Sequence, residues 1–82
     1  MILTETVKSL QNPQKTYKIK WNSDSQMVFI FYSLKDGREL NMQVGKNAKS
    51  IEDAKLVSEL YLKDNEDRFI ATEINYKNKG LL

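Results

Sequence analysis

The chain has 82 residues, of which 40% are apolar and 29% charged, and its formal net charge is +2. This length suffices for one small domain, and the composition is that of a folded chain rather than a disordered one. It contains no cysteine and no histidine, which excludes disulfides and thiolate metal sites and removes the commonest general base and metal ligand.

The first residues, Met1–Glu5, lack the basic and apolar regions of a signal peptide, and the longest apolar run, Met27–Tyr32, is too short to cross a bilayer. We therefore expect a cytoplasmic protein that does not associate with membranes. No repeat or linker divides the chain, so residues 1–82 are expected to form a single domain. The charge is uneven: residues 1–49 hold eight basic and four acidic side chains, and residues 50–82 hold five and seven.

The first segment, residues 1–10, is compatible with a strand or with a short helix that begins at Thr4. Pro13 disfavours a helix through Asn12, and the threonines favour an extended chain, so we predict a strand. Residues 16–22, TYKIKWN, then alternate polar and apolar side chains without interruption. This alternation is typical of a half-buried strand.

A hairpin is predicted around Asp36–Gly37, a dipeptide that suits a two-residue type I′ turn. A turn closed by Lys35 and Arg38 pairs Phe31 with Met42. Together with the polar turn at residues 22–26, this predicts a three-stranded meander.

The turn at residues 22–26 is expected to pair Trp21 with Met27 and Tyr17 with Phe31. Both registers place large apolar side chains on one face of the sheet, which we expect to be the core. That face comprises Tyr17, Ile19, Trp21, Phe29, Phe31, Leu40, Met42 and Val44.

A helix is predicted to follow, because Ser50 and Asp53 form a variant of a capping box and an apolar stripe continues for about 13 residues. The stripe is centred on Ala54, Val57 and Tyr61. The fold class is therefore α+β, with an antiparallel β-meander sheet covered on one face by a single α-helix.

The acidic residues Asp64, Glu66 and Asp67 are expected to end the helix in a solvated loop, since they lack the spacing of a calcium-binding loop. A last strand is predicted over Arg68–Tyr76, which gives the order β-β-β-β-α-β. Residues 77–82 are expected to form a loose tail.

No catalytic motif is present. The phosphate-binding patterns GxxxxGK[ST] and GxGxxG are absent, and a serine or threonine nucleophile has no histidine to activate it. We therefore expect a protein that is not an enzyme and that uses no cofactor and no metal.

The face opposite the predicted core carries an unexpected apolar column between lysines and amides. A solvated sheet face should be polar at these positions, so an exposed column would indicate an interface. Alternatively, the first segment or the tail Leu81–Leu82 covers it. The column comprises Val28, Ile30, Tyr32 and Leu34.

Two functions follow from this pattern. The first is a protein-interaction module, an adaptor, inhibitor or regulator that binds a protein partner or a second copy through Val28, Ile30, Tyr32, Leu34, Lys18 and Lys20. A short, cysteine-free chain rich in lysine and asparagine is typical of accessory proteins of phages and other mobile elements. The alternative is a nucleic-acid-binding module that uses Lys18, Lys20, Tyr32, Arg38, Lys77 and Lys79.

The orientation of the third strand decides between these functions. If Phe29 and Phe31 point to solvent while Ile30 and Tyr32 lie under the helix, the docking surface is lost. Base stacking on exposed aromatic rings is then the favoured interpretation.

Overall fold

A computed structural model gives the structure of residues 1–81 of the protein. Leu82, part of the predicted tail, lies outside the described residues. Its elements are β1 (Ile2–Lys8), β2 (Thr16–Asn22), β3 (Val28–Ser33), β4 (Glu39–Gly45) and α1 (Ile51–Asn78). The strands form one antiparallel sheet in the order β1-β2-β3-β4, and α1 packs on one face of it. The predicted α+β class, with a meander and one covering helix, is confirmed.

The first two strands follow the sequence pattern closely. β1 pairs with β2 along its whole length, from Ile2 opposite Asn22 to Lys8 opposite Thr16, so the prediction of a strand at the N-terminus is confirmed. The alternation in β2 buries Tyr17, and with it Ile19 and Trp21, beneath α1.

The hairpin between β3 and β4 has a longer loop than predicted. The Leu34 N–H donates to the Arg38 carbonyl (2.7 Å) and the Gly37 N–H donates to the Leu34 carbonyl (3.1 Å), which leaves a three-residue loop. Gly37 has a φ of 92°, so the loop matches a type I turn followed by a left-handed glycine rather than a two-residue type I′ turn. As a result, Phe31 lies opposite Asn41 and not opposite Met42.

The turn between β2 and β3 differs from prediction by one residue as well. Trp21 pairs with Val28 rather than Met27, and Gln26 takes up the extra residue with a φ of 59°. Because a shift of one residue exchanges the two faces of a strand, β3 is turned over. Phe29 and Phe31 therefore face away from α1.

The predicted apolar docking surface is consequently wrong. Its four residues belong to the side of the sheet beneath α1, where Val28 and Ile30 are 0% exposed and Leu34 is 5% exposed. Tyr32 is half-buried and packs against the same core. The structure therefore offers no exposed apolar column at these positions, within residues 1–81.

The helix begins where the sequence indicates and ends much later. The Ser50 hydroxyl accepts a hydrogen bond from the Asp53 N–H (3.1 Å), which caps the first turn. The helix then runs for 28 residues through the acidic segment and through Arg68–Tyr76, so the predicted last strand is wrong. Lys77 and Asn78 form its last turn, and the Leu81 carbonyl beyond it accepts a hydrogen bond from the Lys35 N–H (2.6 Å).

Continuous burial explains the length of α1. Ala54, Ser58, Leu62, Glu66 and Phe69 are all buried, and their spacing of three or four residues places them on one side of a helix. No glycine or proline interrupts residues 50–79. Despite its length, α1 is not apolar enough to cross a membrane, and residues 1–81 contain no other helix.

The core is built around aromatic contacts between sheet and helix. The ring of Phe69 contacts Tyr17 edge-on at 4.9 Å and Tyr32 at 5.2 Å between ring centroids. The Trp21 indole N–H donates to the Ala48 carbonyl (2.8 Å), which joins β2 to the connection before α1. Buried polar groups of this kind need such partners, and no buried side-chain nitrogen or oxygen in residues 1–81 lacks one.

The carboxylate of Glu66 fixes the connection between β1 and β2. It accepts hydrogen bonds from the Ser9 hydroxyl (2.5 Å), the Leu10 and Gln11 N–H groups (2.9 Å each) and the Tyr17 hydroxyl (3.3 Å). The expectation of a solvated loop at this position is therefore wrong, because Glu66 is 3% exposed and fully partnered.

Candidate nucleic-acid interface

The candidate site is the sheet face that points away from α1, which we call the open face. The strand registers align its side chains in two rows that cross all four strands. One row is Thr4, Lys20, Phe29 and Gln43, and the other is Thr6, Lys18, Phe31 and Asn41. Each row thus brings a hydroxyl, an ammonium, an aromatic ring and an amide next to one another.

Two aromatic rings lie at the centre of the open face. Phe29 and Phe31 are neighbours on the same side of β3, with ring centroids 6.4 Å apart and planes inclined by 61°. Both are only half-buried. Full burial of such a side chain stabilises a fold by about 1.5–3 kcal/mol, so part of this gain is absent at both positions.

Lysines on β2 flank these rings. The ammonium of Lys20 lies 4.6 Å from the ring centroid of Phe31, and that of Lys18 lies 5.9 Å from it. Lys18 also forms an ion pair with Glu39 (3.1 Å), whereas Lys20 is not among the ion-paired residues of the described chain. The contact with the Phe31 ring keeps the Lys20 ammonium on the open face, where an anion can still reach it.

A depression of about 230 Å³ lies beside the rings. Its polar lining supplies both donors and acceptors, because Asn22 and Asn41 contribute amides and Ser25 contributes a hydroxyl. Lys20 contributes a charge, and apolar surface comes from Ile2, Phe29 and Phe31. The depression can therefore hold a flat, polar group against an aromatic wall.

The two layers of the fold carry opposite charge. Helix α1 holds seven acidic and four basic residues, while residues 1–49, which form the sheet, hold eight basic and four acidic ones. On the open face the strand registers place Glu39, which is already paired with Lys18. An approaching anion is thus attracted to the sheet side and repelled from the helix side.

The basic set predicted from the sequence is only partly brought together. Lys18 and Lys20 lie side by side on the open face, whereas Lys77 and Lys79 lie at the end of the helix layer. Arg38 is in the hairpin loop, where its backbone N–H and its guanidinium both bond to Asp36 and lower the pKa of that carboxyl.

Tyr32, the aromatic residue of that predicted set, is not on the open face. Its ring packs against Phe69 and Tyr76, and burial raises the pKa of its hydroxyl. Sequence reasoning placed the amides of Asn41 and Gln43 on this face, because they alternate with Leu40, Met42 and Val44, and the structure agrees. It missed Phe29 and Phe31, since the face that β3 presents depended on the lengths of two loops.

The acidic residues do not form a metal site: no group of three or more potential ligands comes together within the described part of the chain. A scan against protein-family models and searches of curated proteins and solved structures found no match. The function is therefore inferred from the geometry of the open face.

Proposed function

We propose that this chain is a non-enzymatic binding protein whose open face binds single-stranded nucleic acid. One observation carries the proposal: Phe29 and Phe31 stand side by side on the solvent side of the sheet, with the ammonium groups of Lys18 and Lys20 close to the Phe31 ring. Aromatic platforms flanked by cations bind single strands because every base has a face that can stack.

Each component of the open face has a role in this proposal. The rings of Phe29 and Phe31 stack on two successive bases, and Lys20 neutralises a phosphate. The amides and hydroxyls around the depression, from Asn22, Ser25 and Asn41, form hydrogen bonds with base edges or sugars. The opposite charges of the sheet and helix layers support binding on the sheet side.

Single strands are favoured over duplexes for a geometric reason. In a duplex the faces of the bases are covered by their neighbours, so a ring on a sheet surface reaches them only when the bases are unstacked. A duplex would have to be held by phosphate contacts alone, and the open face supplies few cations for this. The proposal includes a cytoplasmic location, where single-stranded nucleic acid is available.

Fluorescence-anisotropy titrations with labelled oligonucleotides in low salt test the proposal. Single-stranded RNA, single-stranded DNA and duplexes of matched length are compared, and we expect saturable binding of at least one single strand and much weaker binding of the duplexes. Phe31→Ala should weaken binding about five- to hundredfold, the loss of one base stack, while Phe31→Trp should retain it. Melting curves of the variants serve as the folding control, since this side chain is outside the helix-covered core.

Matched lysine variants distinguish binding by the open face from nonspecific attraction to positive charge elsewhere on the protein. Lys20→Gln should weaken binding and reduce the slope of log K against log salt by about 0.7, the value for one phosphate contact on a single strand. Lys79→Gln, which removes the same charge from the helix layer, should leave affinity and slope nearly unchanged. The proposal fails if no oligonucleotide binds, or if Phe29→Ala and Phe31→Ala bind like the unaltered chain.

A protein-interaction module is less well supported than it was by sequence alone. That hypothesis needed an exposed column at Val28, Ile30, Tyr32 and Leu34, and these side chains are in the core. The nucleic-acid proposal needs only residues that face solvent.

A further inference from the structure

The outer side of α1 carries apolar residues that the fold does not bury. Leu56 is 58% exposed, Leu60 is 62% exposed and Ile74 is 52% exposed, and the half-buried Ile70 lies on the same side. Leu56 and Leu60 are four residues apart, as are Ile70 and Ile74, and the step of ten residues between the two pairs fits the alternation of four and three that defines a coiled-coil seam. The seam lies nearly opposite the row of buried residues that faces the sheet.

Charged residues continue the same spacing and complete the seam. Asp53 precedes the leucines and Lys63 follows them, while Asp67 precedes the isoleucines and Lys77 follows them. The seam therefore reads acid, two apolar residues, base, and then repeats this order once. It covers residues 53–77, about three and a half heptads, which is long enough for a stable helix pair.

We propose that α1 pairs antiparallel with α1 of a second copy of this chain through this seam. A two-fold axis passes beside Asn65, so each residue of one helix lies opposite the residue of the other helix for which the two residue numbers add up to 130. Four pairs then form on each side of the axis: Asp53 with Lys77, Leu56 with Ile74, Leu60 with Ile70, and Lys63 with Asp67.

Charge complementarity selects this arrangement over its alternatives. In the antiparallel register both charged pairs join an acid to a base, whereas a parallel pair would place Lys63 against Lys63 and Asp67 against Asp67. Charged residues at seam positions lower the stability of a pair but fix its register and direction. Like charges meet on the flanks of the seam, where Asp64 faces its counterpart in the second copy and Glu59 approaches the Glu73 of that copy, a carboxylate already ion-paired with Lys15.

The register also matches the ends of the helix. α1 spans residues 51–78, so an axis beside residue 65 overlaps the two helices over nearly their full length of about 42 Å. The helices then lie between the two sheets, and the two open faces point outward in opposite directions. This inference does not depend on the proposed nucleic-acid binding.

Charge reversal at the centre of the seam tests the pairing by analytical ultracentrifugation at low salt. We expect a concentration-dependent dimer of the unaltered chain. Lys63→Asp and Asp67→Lys each create two like-charged pairs across the axis and should raise the dimer Kd about tenfold or more. The double variant restores opposite charges and should return the Kd to near its original value. A chain that stays monomeric at its highest attainable concentration overturns the proposal, as does a double variant weaker than both single ones.

Cysteine cross-linking tests the direction independently, because the natural chain has no cysteine. Leu60→Cys and Ile70→Cys variants are oxidised separately and as an equal mixture. In the proposed register only the mixture gives a covalent dimer, since Leu60 faces the partner's Ile70. Efficient cross-linking of Leu60→Cys with itself would indicate a parallel pair and overturn the proposal.

Discussion

Removal of the Glu66 carboxylate should destabilise the fold more than removal of any exposed acidic side chain. In Glu66→Ala the hydroxyls of Ser9 and Tyr17 lose their buried acceptor, whereas the N–H groups of Leu10 and Gln11 belong to exposed residues that water can reach. Hydrogen bonds to a charged group contribute about 1.5–3 kcal/mol each, and water compensates part of the loss, so we expect a net cost of about 3 kcal/mol.

Urea denaturation followed by circular dichroism measures this cost. A chain of this length has a stability of roughly 4–12 kcal/mol, so the variant should remain folded in buffer but unfold at a much lower urea concentration. Glu66→Gln should cost less, because its amide oxygen still accepts from the backbone. Glu59→Ala, an exposed carboxylate on the same helix, is the matched control and should change stability by less than about 0.5 kcal/mol. A loss no larger in Glu66→Ala than in Glu59→Ala would refute this account of the buried carboxylate.

Two further predictions concern the core. A Cβ atom at Gly45 would lie 2.1 Å from Cγ1 of Val57, so Gly45→Ala should cost about 1–3 kcal/mol in urea denaturation, and adding Val57→Ala should recover part of the loss that Gly45→Ala causes. If the double variant shows no such recovery, the close approach is not the cause. Burial and the nearby carboxylates of Glu73 and Glu66 raise the pKa of Tyr17, so the folded state favours the neutral phenol. The contribution of Tyr17 to stability should therefore be constant below about pH 10 and be lost above it, and Tyr17→Phe should show a smaller alkaline loss. Melting temperatures between about pH 8 and about pH 11 test this, and equal losses in both proteins would contradict it.

Local sequence patterns correctly predicted the structural elements that depend mainly on interactions between residues close together in the chain. The alternation in residues 16–22 identified β2, and the Ser50 cap identified the start of α1, because each depends on neighbours within a few residues. The length of α1 was not predictable in this way. Glu66 reads as a surface residue in the sequence, and only its contact with Ser9, 57 residues away, makes it part of the buried row.

The outward orientation of Phe29 and Phe31 was missed because two loops each contain one residue more than expected. The two predicted registers supported each other, yet both used the same assignment of β3, so their agreement was no independent check. Either face of β3 is apolar enough to be the core, since Phe29 and Phe31 alternate with Val28 and Ile30. Turn geometry alone, through the φ of Gly37 and Gln26, decides which face α1 covers.

The position of α1 after all four strands has a consequence during synthesis. All four strands leave the ribosome before the helix that covers them, so Ile19, Val28 and Ile30 are exposed to water on the nascent sheet until the last third of the chain follows. Neighbouring strands pair in sequence order, so the sheet can form early, but its apolar side stays uncovered during this interval. Slow translation after residue 45, or premature termination there, therefore prolongs the exposure of this apolar surface and favours aggregation.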